Sequence, residues 1–446
     1  MTRTTESVRQ SKWIALGAFL VLDVIQIAFV SLLTLNESDP LIVGVDFSRS
    51  NPLVSTSLFL TIALTQIVLV YFITRRMLQN ADMLQIHPAY PEGEEWECKH
   101  SKDDVMKWTM ELAERSGVRV DRIYVMKSPL PNAFTFSLPF VGSTVVLHTN
   151  LLDILHPEEV RAIVAHEVGH IKNRDSLTSI FSRMPAFFVD VVYLYIYIRI
   201  GLGIATSLLV SFDAITALLR ILVLIAFFGL SRFLMILSKI LVQKASRDAE
   251  LLGDIHAAET VGHVETINGL VRLGQRVEAV SALIDEIKWL VALDPERISP
   301  LTNTELRAMI ASYPLDHIDE KNARRMAPTI FLTTRLRNLR DVYGLGVTDG
   351  MIEETVAPAA VELFKKRSLE QKSEAEEVGD LIVDWRDVDY DGDRRLSKEE
   401  LIDLVEILRE NPTKMMFESE LGMKLYALSH PDFRSRLLFL ADSFGF

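Results

Sequence analysis

Two apolar stretches near the N-terminus set the first expectation. Residues 13–35 are interrupted only by Asp23, and the uncharged run from Ser50 to Thr74 contains a second long apolar segment, 53–74. About 20 apolar residues at a helical rise cross a hydrocarbon core of ~30 Å, so each predicts a transmembrane helix. Arg3, Arg9 and Lys12 give the first a signal-like start. Its apolar run is too long for a signal peptide, however, and no small-x-small cleavage site follows, so an uncleaved anchor is expected. A third apolar region, 181–242, contains Arg183, Asp190, Arg199, Asp213, Arg220, Arg232 and Lys239. The break at Ser211–Ala214 divides it into a helical hairpin with spans near 185–209 and 215–238. A hydrophobic hairpin buried within the protein is the alternative.

Between these regions the pattern turns globular. Alternation over 118–126 predicts a strand, and the stretch 143–148 reads as another. Pro157 at a first helical position, followed by Glu158 and Glu159, opens a helix whose apolar stripe is Val160, Ile163, Val164, Val168 and Ile171. Residues 260–375 read as mostly helical and carry no motif.

Composition narrows the class. The 446 residues are 49% hydrophobic and carry a formal charge of −13. Mean hydropathy is +0.21, high for an acidic chain unless part of it lies in lipid. The negative balance argues against a nucleic-acid partner, which selects for a basic face. The single cysteine, Cys98, excludes an intrachain disulfide framework and a multi-cysteine metal site. Lysine and arginine placement, with Arg75-Arg76 after the second span and Lys239, Lys244 and Arg247 after the fourth, puts both termini and the polar regions on the cytoplasmic side. Ionisable residues at membrane depth tend to face partners, and Asp23 and Arg199 would reach comparable depths as a pair.

The predicted helix contains His166-Glu167-Val168-Gly169-His170. Histidines four apart share a helix face and can reach one metal ion, while the intervening glutamate can take a proton from water activated there. An amphipathic helix with two solvated histidines is the plainer alternative. A third ligand must come from another helix. Glu250 and Asp254 are again four apart, so one can bind metal while the other supports the site; Glu250 could equally be a surface acid. His256 and His263 read as packing or surface residues. Farther on, Asp389, Asp391, Asp393, Arg395, Ser397 and Glu400 occupy positions one, three, five, seven, nine and twelve of an EF-hand-like loop, which makes calcium a candidate ion. Position six, normally glycine, is Arg394, and no second such loop is found. An acidic helix–turn–helix without an ion is the alternative, with helical stretches expected at 375–387 and 399–409.

Several of these elements, in order, resemble the HtpX-type membrane zinc metalloproteases, relatives of the CAAX prenyl proteases. Pro131–Thr135 resembles their NAF segment and Thr149–Leu152 their strand exit. His166–Asp175 resembles the zinc helix, and Ser246–Asp254 the third-ligand motif, with Gly253 where alanine is usual. His430-Pro431 with Arg436 resembles a late HP…R motif. The resemblance implies one zinc ion held by His166, His170 and Glu250, Glu167 as general base, and Asp254 in support. It offers His430 and Arg436 as transition-state or supporting groups. Asn132, Ala133 and Phe134, with the strand at 143–148, would form an edge on which an extended polypeptide pairs. The EF-hand-like segment is not part of the resemblance.

The expected fold is therefore mainly α with a small β-sheet, a multi-span α-helical membrane protein bearing a zincin-like protease domain. Its expected divisions are a two-helix anchor (1–75), the first part of the protease domain (76–180) and the hydrophobic hairpin (181–242). The third-ligand helix and helical region (243–370), the EF-hand-like segment (371–412) and a C-terminal helix (413–446) follow. The expected activity is zinc-dependent endopeptidase cleavage of misfolded or damaged membrane proteins at the cytoplasmic face of the plasma (inner) membrane, with polypeptides and the lipid bilayer as partners. A catalytically silent client-binding scaffold and a prenyl-protein protease are the rivals.

Overall fold

A computed structural model describes residues 4–34, 83–86, 98–138, 142–175, 200–293, 300–317, 319–379, 381–420 and 431–445, with isolated positions in 57–76 and 193–198. The expected span at 53–74 falls largely outside the described residues. So do the Asp23–Arg199 pair and His430.

The chain opens with α1 (Thr5–Thr34). Val8, Lys12, Ala15, Leu16 and Phe19, spaced along one helix face, are all buried. Val8 joins a core that includes Leu251, Leu252 and Ile255.

Four strands form one sheet in the order β1-β2-β4-β3: β1 (Met83–Ile86), β2 (Arg122–Met126), β3 (Ala133–Leu138) and β4 (Gly142–His148). β2 runs parallel to β4, and β3 lies antiparallel to it with Ala133 opposite Leu147 and Phe134 opposite Val146. Val145, Val146 and Leu147 are fully buried, as an interior strand requires. This corrects one expectation. The strand at 143–148 is hydrogen-bonded on both sides, so it has no free edge; among the described residues the outer strands are β1 and β3, and β3 is the one that carries Ala133 and Phe134.

Against the sheet lie α2 (Lys102–Arg115), α3 (Thr149–Ile154) and α4 (Pro157–Lys172). The N-terminus of α4 is closed by Glu159, whose carboxylate accepts from the His156 backbone N–H at 2.9 Å. Its expected apolar stripe is buried against β2, β4 and α2 residues.

Two helices form the apolar hairpin, α5 (Ile200–Leu209) and the 47-residue α6 (Ala214–Thr260). Asp213 caps α6 by accepting from the Ile215 and Thr216 N–H groups, and Phe212 before it takes a left-handed φ of 53°. Arg220 is buried between the two helices, donating to Gly203 O and to Ser207 Oγ at 2.8 Å. Among the described residues, α6 alone is long and apolar enough to cross a membrane, and only 11% of its most apolar stretch is buried. Its second half is different: Ala245, Asp248, Leu251, Leu252, Asp254, Ile255 and Ala257 are all buried. The helix runs unbroken through residue 242, carrying an exposed apolar half and a buried polar one.

The remaining helices are α7 (His263–Ala292), α8 (Asn303–Ser312), α9 (Glu320–Tyr343), α10 (Asp349–Gly379), α11 (Lys398–Glu410) and α12 (Phe433–Phe444). α7 and α12 pack on the lower half of α6, which sets the C-terminus against the candidate site.

Candidate metal centre

α4 presents His166, Glu167 and His170 as one group able to hold a metal ion. The Nε2 atoms of His166 and His170 face each other at 3.0 Å. From α6, Glu250 approaches both, with Oε2 at 3.4 Å from His166 Nε2 and Oε1 at 3.7 Å from His170 Nε2. A tetrahedral zinc with bonds of about 2.0–2.2 Å spaces its ligand atoms roughly 3.3–3.5 Å apart. The three observed separations bracket that value, so two imidazole nitrogens and one carboxylate fit a zinc ion and leave a fourth position.

The other ring nitrogens also face carboxylates. His166 Nδ1 lies 2.9 Å from Asp254 Oδ1. Asp254 accepts two hydrogen bonds from the Arg436 guanidinium of α12, at 2.7 and 2.6 Å. His170 Nδ1 lies 3.0 Å from Asp175 Oδ2, and Asp175 Oδ1 in turn accepts from Lys12 Nζ of α1. Arg174, at a left-handed φ of 57°, turns the chain so that Asp175 comes back toward the helix.

The electrostatics favour positive charge at the centre. Burial opposes a charged His166, yet its bonds to Asp254 and Glu250 outweigh that and lift it to about 10. For His170, burial is likewise opposed and outweighed, chiefly by Asp175. Burial would raise Asp254, but the Arg436 guanidinium holds it below the ordinary carboxylate range. A cation that displaced the histidine protons would meet the same field.

Close packing fixes the rings. A Cβ on Gly253 would lie 2.8 Å from His166 Cε1, so the glycine at this position brings α6 closer to the ring than alanine permits. His256 is not a ligand. Its ring packs under Gly169, where a Cβ would lie 3.1 Å from His256 Cβ, and its Nε2 meets Ser116 Oγ at 2.8 Å. Burial, with Lys172 and His166 nearby, lowers it to about 4, so it packs as a neutral ring.

Of the expected site residues, the structure brings together His166, Glu167, His170, Glu250, Asp254 and Arg436. Ala133 and Phe134 lie on edge strand β3, and Asn132 immediately precedes it, accepting from His148 N. Arg436 is committed to Asp254, with its Nη2 4.0 Å from Glu250 Oε2. Lys12 and Asp175 carry no role in the sequence reading. Asp175 closes the zinc-helix motif and was visible in it; Lys12 reads only as a topogenic charge.

The EF-hand-like loop lies apart from this centre. Asp389, Asp391 and Asp393 come together, while Arg394 takes the left-handed φ of 64° that glycine serves at that position. Glu400 accepts from Tyr390 N at 2.8 Å and Ser397 N at 2.7 Å, and Ser397 caps α11. The Arg395 side chain turns away toward Glu159 of α4, at 3.8 Å. Leu396 pairs by both backbone groups with the Asn268 carboxamide, at 2.7 and 2.9 Å. One side of the motif departs from expectation. α10 ends at Gly379, Ile382 then bridges Met415, and only a 3-10 turn at Trp385–Asp387 enters the loop.

Comparison with known proteins adds an independent finding. The family described as Peptidase family M48 matches residues 99–443. The chain is similar to a protease HtpX homolog of Aeropyrum pernix, 41% identical over 83 residues, covering 19% of this chain and 24% of the relative. It is also similar to protease HtpX homologs of Persephonella marina (44% over 69 residues; 16% and 24%) and Thermoplasma acidophilum (35% over 65 residues; 15% and 20%). The matched stretch spans about a quarter of the length of these curated relatives. No solved structure matches the chain.

Proposed function

The chain belongs to peptidase family M48, and from that premise we propose that it is a zinc-dependent endopeptidase. The observation that carries this reading is the convergence of His166, His170 and Glu250 at separations of 3.0, 3.4 and 3.7 Å, with Glu167 beside them. Zinc held by those three residues would supply Lewis acidity, drawing the pKa of water toward about 7 and polarising a peptide carbonyl.

The protein's own groups do the rest. Glu167 takes a proton from the attacking water and returns it to the departing amine nitrogen. Asp254, clamped by Arg436, fixes the His166 ring, and Asp175 fixes the His170 ring, so that both Nε2 lone pairs face the same point. β3 is an edge strand, and an extended polypeptide added to it would be held by main-chain hydrogen bonds with little demand on sequence. That favours unfolded chains as substrates.

The exposed apolar half of α6 supports a membrane setting, with bilayer lipid against Leu218, Leu222, Ile225, Phe233 and Ile236. In this reading the protein is a multi-pass protein of the plasma (inner) membrane, its termini and active site cytoplasmic, and it cuts misfolded or damaged membrane proteins. Calcium at the 389–400 loop stands outside the reading, because the acidic pattern alone carries it. Equal activity and melting temperature with and without calcium, in wild type and Asp391→Ala, would remove that ion from consideration.

The test is cleavage of casein by detergent-purified, zinc-loaded protein beside a Glu167→Gln variant. Wild-type cleavage with a silent, zinc-retaining variant supports the endopeptidase. Stoichiometric zinc with no cleavage by either would favour the client-binding scaffold instead.

A further inference from the structure

Lys12 is an anomaly on α1. Its neighbours on the buried face are Val8, Ala15, Leu16 and Phe19, yet the lysine itself is only 1% exposed. Its ammonium donates to Asp175 Oδ1, donates to Asn173 O at 3.1 Å, and sits 4.8 Å from the centre of the Trp13 ring. Asp175 uses its other oxygen on His170 Nδ1, at 3.0 Å. An unbroken chain of polar contacts thus runs from the N-terminal helix, through the turn after α4, to one of the two histidines.

Docking alone does not account for a lysine there. Removing an ammonium from water is costly, and an apolar side chain of similar volume commonly serves packing as well or better. Membrane topology does not require it either, since a topogenic charge acts from solvent or the lipid headgroups and needs no buried carboxylate. What the lysine does supply is a fixed partner for one oxygen of Asp175, which leaves the second oxygen aimed at the ring. A histidine that donates its Nδ1 proton to a carboxylate presents the Nε2 lone pair outward, and partners of this kind set ring orientation and metal affinity.

We propose that Lys12 is a positioning residue for the metal site: through Asp175 it orients His170, so that zinc affinity depends on the docked N-terminal helix. This rests on the zinc reading given above. It extends that reading by making α1 part of the centre as well as an anchor. An enzyme whose first helix is withdrawn or misplaced would then hold its metal weakly.

The experiment measures zinc affinity, by competition with a colorimetric chelator, for the full chain in detergent. Wild type, Lys12→Met, Lys12→Arg, Asp175→Asn and the Lys12→Met/Asp175→Asn double variant are compared. Loss of a partner behind a metal-bound histidine typically weakens binding about 10- to 100-fold; Asp175→Asn should fall in that range, and Lys12→Met should weaken binding by no more than Asp175→Asn does. Lys12→Arg, which keeps the charge and the donors, should recover most of the affinity. The double variant should be no weaker than Asp175→Asn alone, because Lys12 acts through Asp175. Should Lys12→Met not fold, Asp175→Asn reads the same chain, since Lys12 can still hold α1 through Asn173 O. Wild-type affinity in Lys12→Met or in Asp175→Asn overturns the proposal, as does a Lys12→Met loss that persists in full in the Asp175→Asn background. A wild type that binds no zinc would overturn the zinc reading itself and this inference with it.

Discussion

Asp254 shows how much can depend on one buried carboxylate. It is fully buried, braced by two short bonds from Arg436, and set 2.9 Å from His166 Nδ1. Removing one partner of a buried ion pair leaves an uncompensated charge and costs about 3–5 kcal/mol. Arg436→Leu should therefore lower stability by that order in chemical denaturation and weaken zinc binding; an unchanged midpoint would mean that the pair is dispensable. At Glu167 the expectation is reversed: Glu167→Gln should keep zinc stoichiometry and melting temperature while turnover falls about 10²- to 10⁴-fold, the usual contribution of a general base. Residues of this kind are legible in the sequence where their spacing follows a single helix. His166, His170, Glu250 and Asp254 are such pairs. Lys12 is not, because its partner lies 163 positions away and its setting beside other N-terminal cations suggests a topogenic role.

Among the elements, α6 does two jobs, and its sequence states both. The apolar run before residue 240 and the polar motif at 246–254 were each readable; the switch from apolar to polar reads as a boundary, yet no cap or breaker separates them and they continue as one 47-residue helix. The sheet was half legible. β2 alternates and β4 carries a short apolar run, Val145, Val146 and Leu147, whereas β1 is four residues long and β3 gains its order from pairing with β4. The 389–400 loop shows a different limit. Its seat on α7 comes from Arg272, which donates to Arg394 O, and from Asn268, whose carboxamide satisfies both backbone groups of Leu396, as a strand neighbour would. No local pattern announces that contact. Asn268→Ala would leave a buried N–H and C=O without these partners, at a cost of about 1–3 kcal/mol. Amide hydrogen exchange across 389–400 should quicken in this variant while α4 stays protected; unchanged exchange would show that the loop is held by other contacts.

For the whole molecule, a partly buried acidic cluster joins the C-terminal region to the helical layer. Arg324 of α9 donates from Nη2 to both carboxylate oxygens of Glu418, at 2.8 and 2.7 Å, and from Nη1 to Glu286 of α7, while Glu278 of α7 accepts from Glu418 N at 2.9 Å. Burial pushes Glu278 up to about 8; the Glu418 N–H and Arg386 oppose this, and the Glu320 and Glu418 carboxylates add to it. Below its ordinary 4.5, folded and unfolded chains both hold the proton; between there and about 8 only the folded chain does. Stability should thus fall as pH rises through that window, by up to about 1.4 kcal/mol per unit from this group. Denaturation midpoints at pH 5, 6, 7 and 8 should show the slope flattened in Glu278→Gln, and an identical slope would remove Glu278 as its source. The sequence could not show this, since the acids come from segments 42 to 140 residues apart and nothing in their spacing marks them as buried together.

The central claim is that residues on α4 and α6 form a zinc endopeptidase centre with Glu167 as its base. Casein cleavage by detergent-purified, zinc-loaded protein beside Glu167→Gln tests it most directly. Fragments are expected from the wild type only, with equal zinc in both proteins. Stoichiometric zinc and no cleavage by either, or equal cleavage by both, would contradict it.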